Sequence, residues 1–303
     1  MRNLLEEFNI RCEYDVPLAP LTWYGVGGPA PILAHPSSVQ QLSALAKRCR
    51  EAAVRVFVLG SGANLLVADE GVQGVVVKLD DPAFRQLRIE NHTVIVGAGY
   101  DLARLVLDTA PRAGLSGLEC LAGIPATVGG AIRMNAGGAF GDIGRSVKRI
   151  QVMDHAGQVY YRDREDLVFS YRKTNIVARY ILEAELELTP DDPDALRQRV
   201  KEVFLYKKNS QPLADHSAGC AFKNPTAPPD APHGRLSAGR LIEQAGLKGY
   251  RIGGAEVSQQ HANFIIAHDP CTAADILQLL EHIQHTVHER CQVDLEQELI
   301  VWR

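Results

Sequence analysis

Between residues 54 and 67 the chain reads VRVFVLGSGANLLV, two short apolar runs parted by glycines, the pattern of a buried strand, a tight turn and a second strand. GVVVKL at 74–79 and TVIVGAG at 93–99 predict two further strands. LARLVLDTAPRAG then repeats its apolar positions at helical spacing and stops at Gly114, which predicts a helix. RIQVMDHAGQVYYR reads as a hairpin turning at Ala156-Gly157, and ARYILEAELEL alternates apolar and polar positions as a half-buried strand does. TPDDPDA breaks the pattern, so a boundary is expected near residue 190, with a helix from about Ala195 to Lys208 beyond it. The expected organisation is a unit over 1–190, in two lobes of about 1–78 and 79–190, followed by a second unit over 191–303. No internal repeat or low-complexity segment interrupts it.

Glycine is dense from Gly114 to Gly144, in GLSGLECLAGIPATVGGAIRMNAGGAFGDIG. Leu118, Leu121, Ile124, Val128, Ile132 and Met134 make this stretch too apolar for a flexible linker. Its glycines are expected to serve positive φ and close backbone approach to a ligand. Two fragments, GSGANL after a strand and GAGYDL before a helix, begin a dinucleotide fingerprint, but neither completes G-x-G-x-x-G. Glycine-rich turns can also hold a pyrophosphate on backbone N–H groups, so a dinucleotide bound without a Rossmann fold is expected.

Composition narrows the field. The 303 residues exceed one hydrophobic core, and a 46% hydrophobic, 22% charged chain is that of a globular protein. A net charge of -4 gives no positive field for nucleic acid or anionic lipid, so neither is an expected partner. Acidic residues interrupt the apolar positions of MRNLLEEFNIRCEYDVPLAP, which predicts neither a signal peptide nor a membrane anchor and hence a cytoplasmic protein. Cys12, Cys49, Cys120, Cys220, Cys271 and Cys291 lie far apart without metal-ligand spacing. No metal site or disulfide framework is expected, and most of these thiols are expected to be reduced and buried.

Seven segments carry a resemblance: TWYGVGGPA at 22–30, LGSGANLLVADEGVQGVVV at 59–77, the glycine-dense run at 114–141, FSYRKT at 169–174, QPL at 211–213, SAGCAFKNP at 217–225 and AGRLIEQAGLKGYRIGGAEVSQQHANFI at 238–265. With LEQELIV after them, they resemble the UDP-N-acetylenolpyruvoylglucosamine reductase family over nearly the whole chain, in the shorter of its two subclasses. The resemblance implies an α+β fold, a two-lobed FAD-binding unit of the vanillyl-alcohol-oxidase type followed by an α/β substrate domain. It also implies an enzyme that uses NADPH and FAD to reduce the enolpyruvyl ether of UDP-N-acetylglucosamine to UDP-N-acetylmuramate in peptidoglycan precursor synthesis; a monomer is expected, although the sequence does not give the oligomeric state.

The resemblance places FAD on Gly60, Ser61, Gly62, Ala63 and Asn64, and on Gly123, Ile124, Pro125, Thr127, Val128 and Gly129. The chemistry agrees, since Gly60 and Gly62 let amides approach phosphate and the uncharged run around Ile124 suits the rim of a flavin ring. Ala63 departs from the serine usual in the motif, so one hydroxyl contact is missing. Arg172 of FSYRKT, beside Tyr171, is implied to lie near the substrate carboxylate, which a planar guanidinium can bind bidentately. Lys223, Asn224 and His261 match further substrate or NADPH contacts. Glu298 of LEQELIV matches the catalytic glutamate, although in an alternating strand Glu296 faces the same side and spacing cannot separate them. Cys220 stands where the family most often has its serine proton donor, and a thiol also has one transferable proton. Two rivals are an FAD-dependent oxidase, returning electrons to oxygen, and a flavin-binding module needing no proton donor. The segments outside the flavin unit favour the reductase.

Overall fold

A computed structural model describes residues 4–226 and 236–303. The chain divides into two compact units that interleave in sequence. The first comprises residues 1–16, 30–61 and 73–206, and the second comprises 17–29, 62–72 and 207–303. The division differs from a single cut near residue 190, because Leu65–Val67 pairs in parallel with Ile300–Trp302 at the far end of the chain. The helix beyond TPDDPDA runs Pro193–Ser210, and its Val200 and Val203 are buried in the core of the first unit.

The first unit holds two sheets. In one, Pro29–His35 and Val56–Leu59 flank Val75–Lys78, all parallel, with Arg11–Pro17 at the edge. The predicted strands around the GSG turn and at GVVVKL are therefore present. Val75 and Val77 are fully buried on one face with Leu42, Leu45 and Ala46 of the Val39–Glu51 helix, whose N-terminal amide at Gln41 is capped by Ser38. The second sheet orders Val159–Asp163, Val147–Met153, Tyr180–Glu187, Thr93–Gly97 and Leu87–Glu90, antiparallel throughout. Its expected hairpin turns at Gly157, φ 74, where Asp154 Oδ1 accepts from the Ala156 and Gln158 amides. The helix predicted before Gly114 spans Leu102–Arg112 and widens to a π turn over Leu105–Thr109, next to Pro111, which has no N–H to continue an α ladder.

The second unit packs the Ala238–Gln244 and Ala273–Cys291 helices with a small antiparallel sheet of Arg251–Ile252, Ala255–Val257 and Ile265–Ala267. Ile276, Leu279, Ile283 and Val287, at helical spacing, are fully buried with Leu66, Phe222 and Val257. None of the six cysteines is in a disulfide, but Cys49 alone among them is buried and the other five are partly exposed, so the expectation of buried cysteines fails for most. Among the described residues no helix is long and apolar enough to cross a membrane, and no group of three or more His, Cys, Asp or Glu side chains is placed to hold a metal ion.

Candidate active site

In the first unit the Val56–Leu59 strand ends on Gly60 and Ser61. Ser61 Oγ donates to the Pro125 carbonyl at 3.2 Å, and a Cβ at Gly60 would stand 3.0 Å from Thr127 Oγ1. This brings the turn at 60–61 against the 123–129 segment. The two stretches differ in what they offer. The helix that opens at Val128 has already used its first amides, Val128 on the Tyr100 carbonyl, Gly129 on that of Ala98 and Gly130 on Thr127 Oγ1. Gly129 lies in this helix without positive φ, and a Cβ there would stand 2.8 Å from Ala98 Cβ. Packing against a strand end accounts for this glycine. By contrast, the amides of Ser61, Gly62 and Ala63 donate to no group among the described residues, and Gly62 has φ 71. A Cβ on Gly62 would stand 2.1 Å from the Leu21 carbonyl.

Arg172 sits on a hairpin of Phe169–Ser170 and Lys173–Thr174, linked by Tyr171 and Arg172 alone. Its φ of 53 is a left-handed conformation that side chains avoid, and its guanidinium lies over the half-exposed Tyr171 ring, 5.3 Å from the centroid. The hairpin is seated by the Phe169 ring, which occupies the space a Cβ on Gly144 would need. The partly buried Arg133 holds the following residues, donating to the carbonyls of Ile176 at 2.5 Å and Ala178 at 2.6 Å.

The second unit assembles Gly62–Asn64, Cys220 and Glu298. Cys220 follows Gly219, whose φ is 78 and whose Cβ position faces the Ala63 carbonyl at 3.8 Å. The segment from Cys220 to Lys223 is held on both sides. Cys220 pairs with Phe264, and the Glu298 amide donates to the Ala221 carbonyl at 2.8 Å. Asn64 Nδ2 donates to the Glu298 carbonyl at 3.2 Å, so this side chain ties the segment at 298 to the turn at 62–64. The two glutamates are told apart by environment. Regular strand begins only at Ile300, Glu296 is exposed and ion-paired with Lys223, and Glu298 is 9% exposed. The expectation of an alternating strand through both residues is thereby corrected. The buried Ser217 hydroxyl has no hydrogen-bond partner among the described residues.

His261 and Asn224 lie on the same framework. The His261 ring meets Phe264 edge-on at 5.0 Å, and its Nδ1 accepts from the Asn263 amide at 3.3 Å. Burial pushes the imidazole below its ordinary range, which keeps it neutral near pH 7. Asn224 is exposed and its Oδ1 accepts from the Ala238 amide at 3.0 Å, at the start of a helix. One residue of QQHANF that the sequence reading passed over is Asn263. Its carboxamide accepts from the Phe222 amide at 2.9 Å and donates to the Phe222 carbonyl at 2.7 Å, imitating a strand beside Cys220.

Residues 211–302 match the C-terminal domain of UDP-N-acetylenolpyruvoylglucosamine reductase, and residues 30–161 match an FAD binding domain. A UDP-N-acetylenolpyruvoylglucosamine reductase from Moorella thermoacetica is 40% identical over 287 residues, which are 94% of this chain and 91% of that protein. One from Bacillus subtilis is 38% identical over 286 residues, 93% of this chain and 91% of its own. The crystal structure of the enzyme from Thermus caldophilus, 37% identical, superposes with a TM-score of 0.81 over 97% of this chain and 100% of that one. This chain belongs to the UDP-N-acetylenolpyruvoylglucosamine reductase family.

As a reductase of this family the chain carries an FAD-binding domain, and its residues fit the group. Three unpaired amides in succession around a positive-φ glycine make an anion-binding nest suited to a pyrophosphate. In the first unit Ile124, Pro125 and Ala126 are partly buried and uncharged. The Cys220 thiol is partly exposed and in no disulfide.

Proposed function

We propose that this reductase converts the enolpyruvyl ether of UDP-N-acetylglucosamine to UDP-N-acetylmuramate, with NADPH as the electron source. The observation that carries the proposal is the register of the second unit, in which Gly219, the residue before Cys220, faces the Ala63 carbonyl while the backbone amide of the buried Glu298 donates to Ala221, the residue after Cys220. Bound FAD would supply the hydride, taken from NADPH, that reduces the terminal methylene. Ser61, Gly62 and Ala63 would hold its pyrophosphate through their amides. Addition at the methylene leaves negative charge on the carbon beside the substrate carboxylate, and Arg172 grips that carboxylate with a bidentate fork. Glu298 helps to hold or protonate the enolate at the substrate's carboxyl end, and the Cys220 S–H proton moves to the carbon, giving a lactyl ether and a thiolate that solvent reprotonates. Tyr171, Lys223, Asn224 and His261 are assigned to binding substrate or NADPH. The charged nucleotide substrates do not cross membranes unaided, which assigns the reaction to the cytoplasm, and the chain is assigned as a monomer.

The test is NADPH oxidation by the FAD-loaded protein with and without the enolpyruvyl UDP-sugar. Oxidation that requires this substrate and yields the lactyl ether is expected. Oxidation that proceeds without it and releases hydrogen peroxide would instead identify an oxidase.

A further inference from the structure

Asn135 follows the Val128–Arg133 helix by two residues and is 2% exposed with φ 43. Its backbone closes that helix. The Asn135 amide donates to the Ile132 carbonyl at 3.1 Å and the Ala136 amide to that of Ala131 at 2.8 Å, the paired bonds of a left-handed C-terminal cap. Glycine performs this cap at least as well as asparagine, because it carries no Cβ penalty at positive φ. The asparagine side chain must therefore serve something else.

Its carboxamide spans two segments distant in sequence. Oδ1 accepts from the Gly144 amide at 3.0 Å, in a fully buried bond, and Nδ2 donates to the Ser170 carbonyl at 2.9 Å. Gly144 is the residue whose missing side chain makes room for Phe169, and Ser170 is the last residue before Tyr171 and Arg172. One carboxamide thus fastens the seat of the hairpin and its near limb together, while Arg133 holds the residues beyond the far limb. The hairpin needs such fastening. Its strands are two residues each, Ser170 and Tyr171 are exposed, and Arg172 keeps a left-handed backbone that costs about 1–2 kcal/mol when unsupported.

We propose that Asn135 is a positioning residue for substrate reduction, its carboxamide fixing the backbone from which Arg172 reaches the substrate carboxylate. The inference rests on the role given to Arg172 above. It predicts that losing the carboxamide mispositions the guanidinium without removing it, at a loss on the order of a hundredfold or less in the reacting step.

The test uses the FAD-loaded enzyme and single-turnover measurements with NADPH and with the enolpyruvyl UDP-sugar. Asn135→Gly keeps the helix cap, and Asn135→Asp keeps the acceptor for Gly144 while losing the donor to Ser170. Each is expected to slow reduction of the enolpyruvyl substrate by about tenfold to a hundredfold, and to slow flavin reduction by NADPH by at least fivefold less. In an Arg172→Lys background the same changes should cost about twofold or less, because residues that act through one another are not additive. Should Asn135→Gly fail to fold, Asn135→Asp decides alone. A native rate of enolpyruvyl reduction in the variant, with Arg172→Lys impaired, overturns the inference, as does an equal loss in both half-reactions. Native turnover in Arg172→Lys overturns the role of Arg172 itself.

Discussion

Replacing Gly129 by alanine tests whether packing or ligand approach demands the glycine. The new Cβ would stand 2.8 Å from Ala98 Cβ and 3.2 Å from the Ala98 carbonyl. Carbon atoms pack best at about 3.5–4.0 Å, so the methyl intrudes by about 1 Å. The helix cannot turn aside, because Val128 and Ile132 are fully buried and the Val128 and Gly129 amides are tied to Tyr100 and Ala98 at 3.0 and 2.8 Å. Overpacking of this kind costs about 1–3 kcal/mol. Alanine in place of glycine returns up to about 1 kcal/mol of helix propensity. The net expectation for Gly129→Ala is a loss of roughly 0–2 kcal/mol, with weaker FAD binding because the 123–129 segment is displaced. Ala98→Gly removes the atom that is struck, so in that background the substitution should lose most of its cost, a coupling of about 1–3 kcal/mol. Thermal unfolding of the apo-proteins and FAD titration of all four members of the cycle measure it. Additivity within about 0.5 kcal/mol would refute the packing explanation and leave ligand approach as the reason for glycine.

Cys220→Ser should stay active, whereas Cys220→Ala should lose about two to four orders of magnitude in enolpyruvyl reduction, the worth of a positioned acid, and single-turnover rates decide between them. Glu298→Gln should impair that half-reaction far more than Glu296→Gln, because Glu296 is exposed and ion-paired with Lys223; equal effects would remove Glu298 from its role. The Thr272 amide, with the Gly254 amide and the Thr272 hydroxyl adding to it, holds the Asp275 carboxyl below its ordinary value at the start of the Ala273–Cys291 helix. A depressed folded value means that this stabilisation is complete above the unfolded aspartate range, near pH 4, and fades as pH falls through the lower folded value. Asp275→Asn should thus cost up to about 1 kcal/mol at neutral pH and progressively less in acid, and a pH-independent difference in unfolding free energy would contradict it.

Much of this protein is written locally in its sequence. The strands at 56–59, 75–78, 93–97 and 180–187 and the helix ending before Gly114 follow from apolar spacing and glycine punctuation, because those signals act within a few residues. The turn at 60–63 was legible for the same reason, since glycine there has a backbone purpose. Spacing could not separate Glu296 from Glu298, because burial depends on the segment at 220–223 that packs beside them. Nor could it reveal Asn135 or Asn263, whose carboxamides reach residues 35 and 41 positions away. The division of the chain lay further still from the local pattern. Residues 62–72 read as a continuation of the neighbouring strands, yet Leu65–Val67 takes its hydrogen bonds from Ile300–Trp302, more than two hundred residues later. A strand's local sequence fixes its alternation and burial, but any other strand can satisfy its N–H and C=O groups, so the choice of partner belongs to the assembled core.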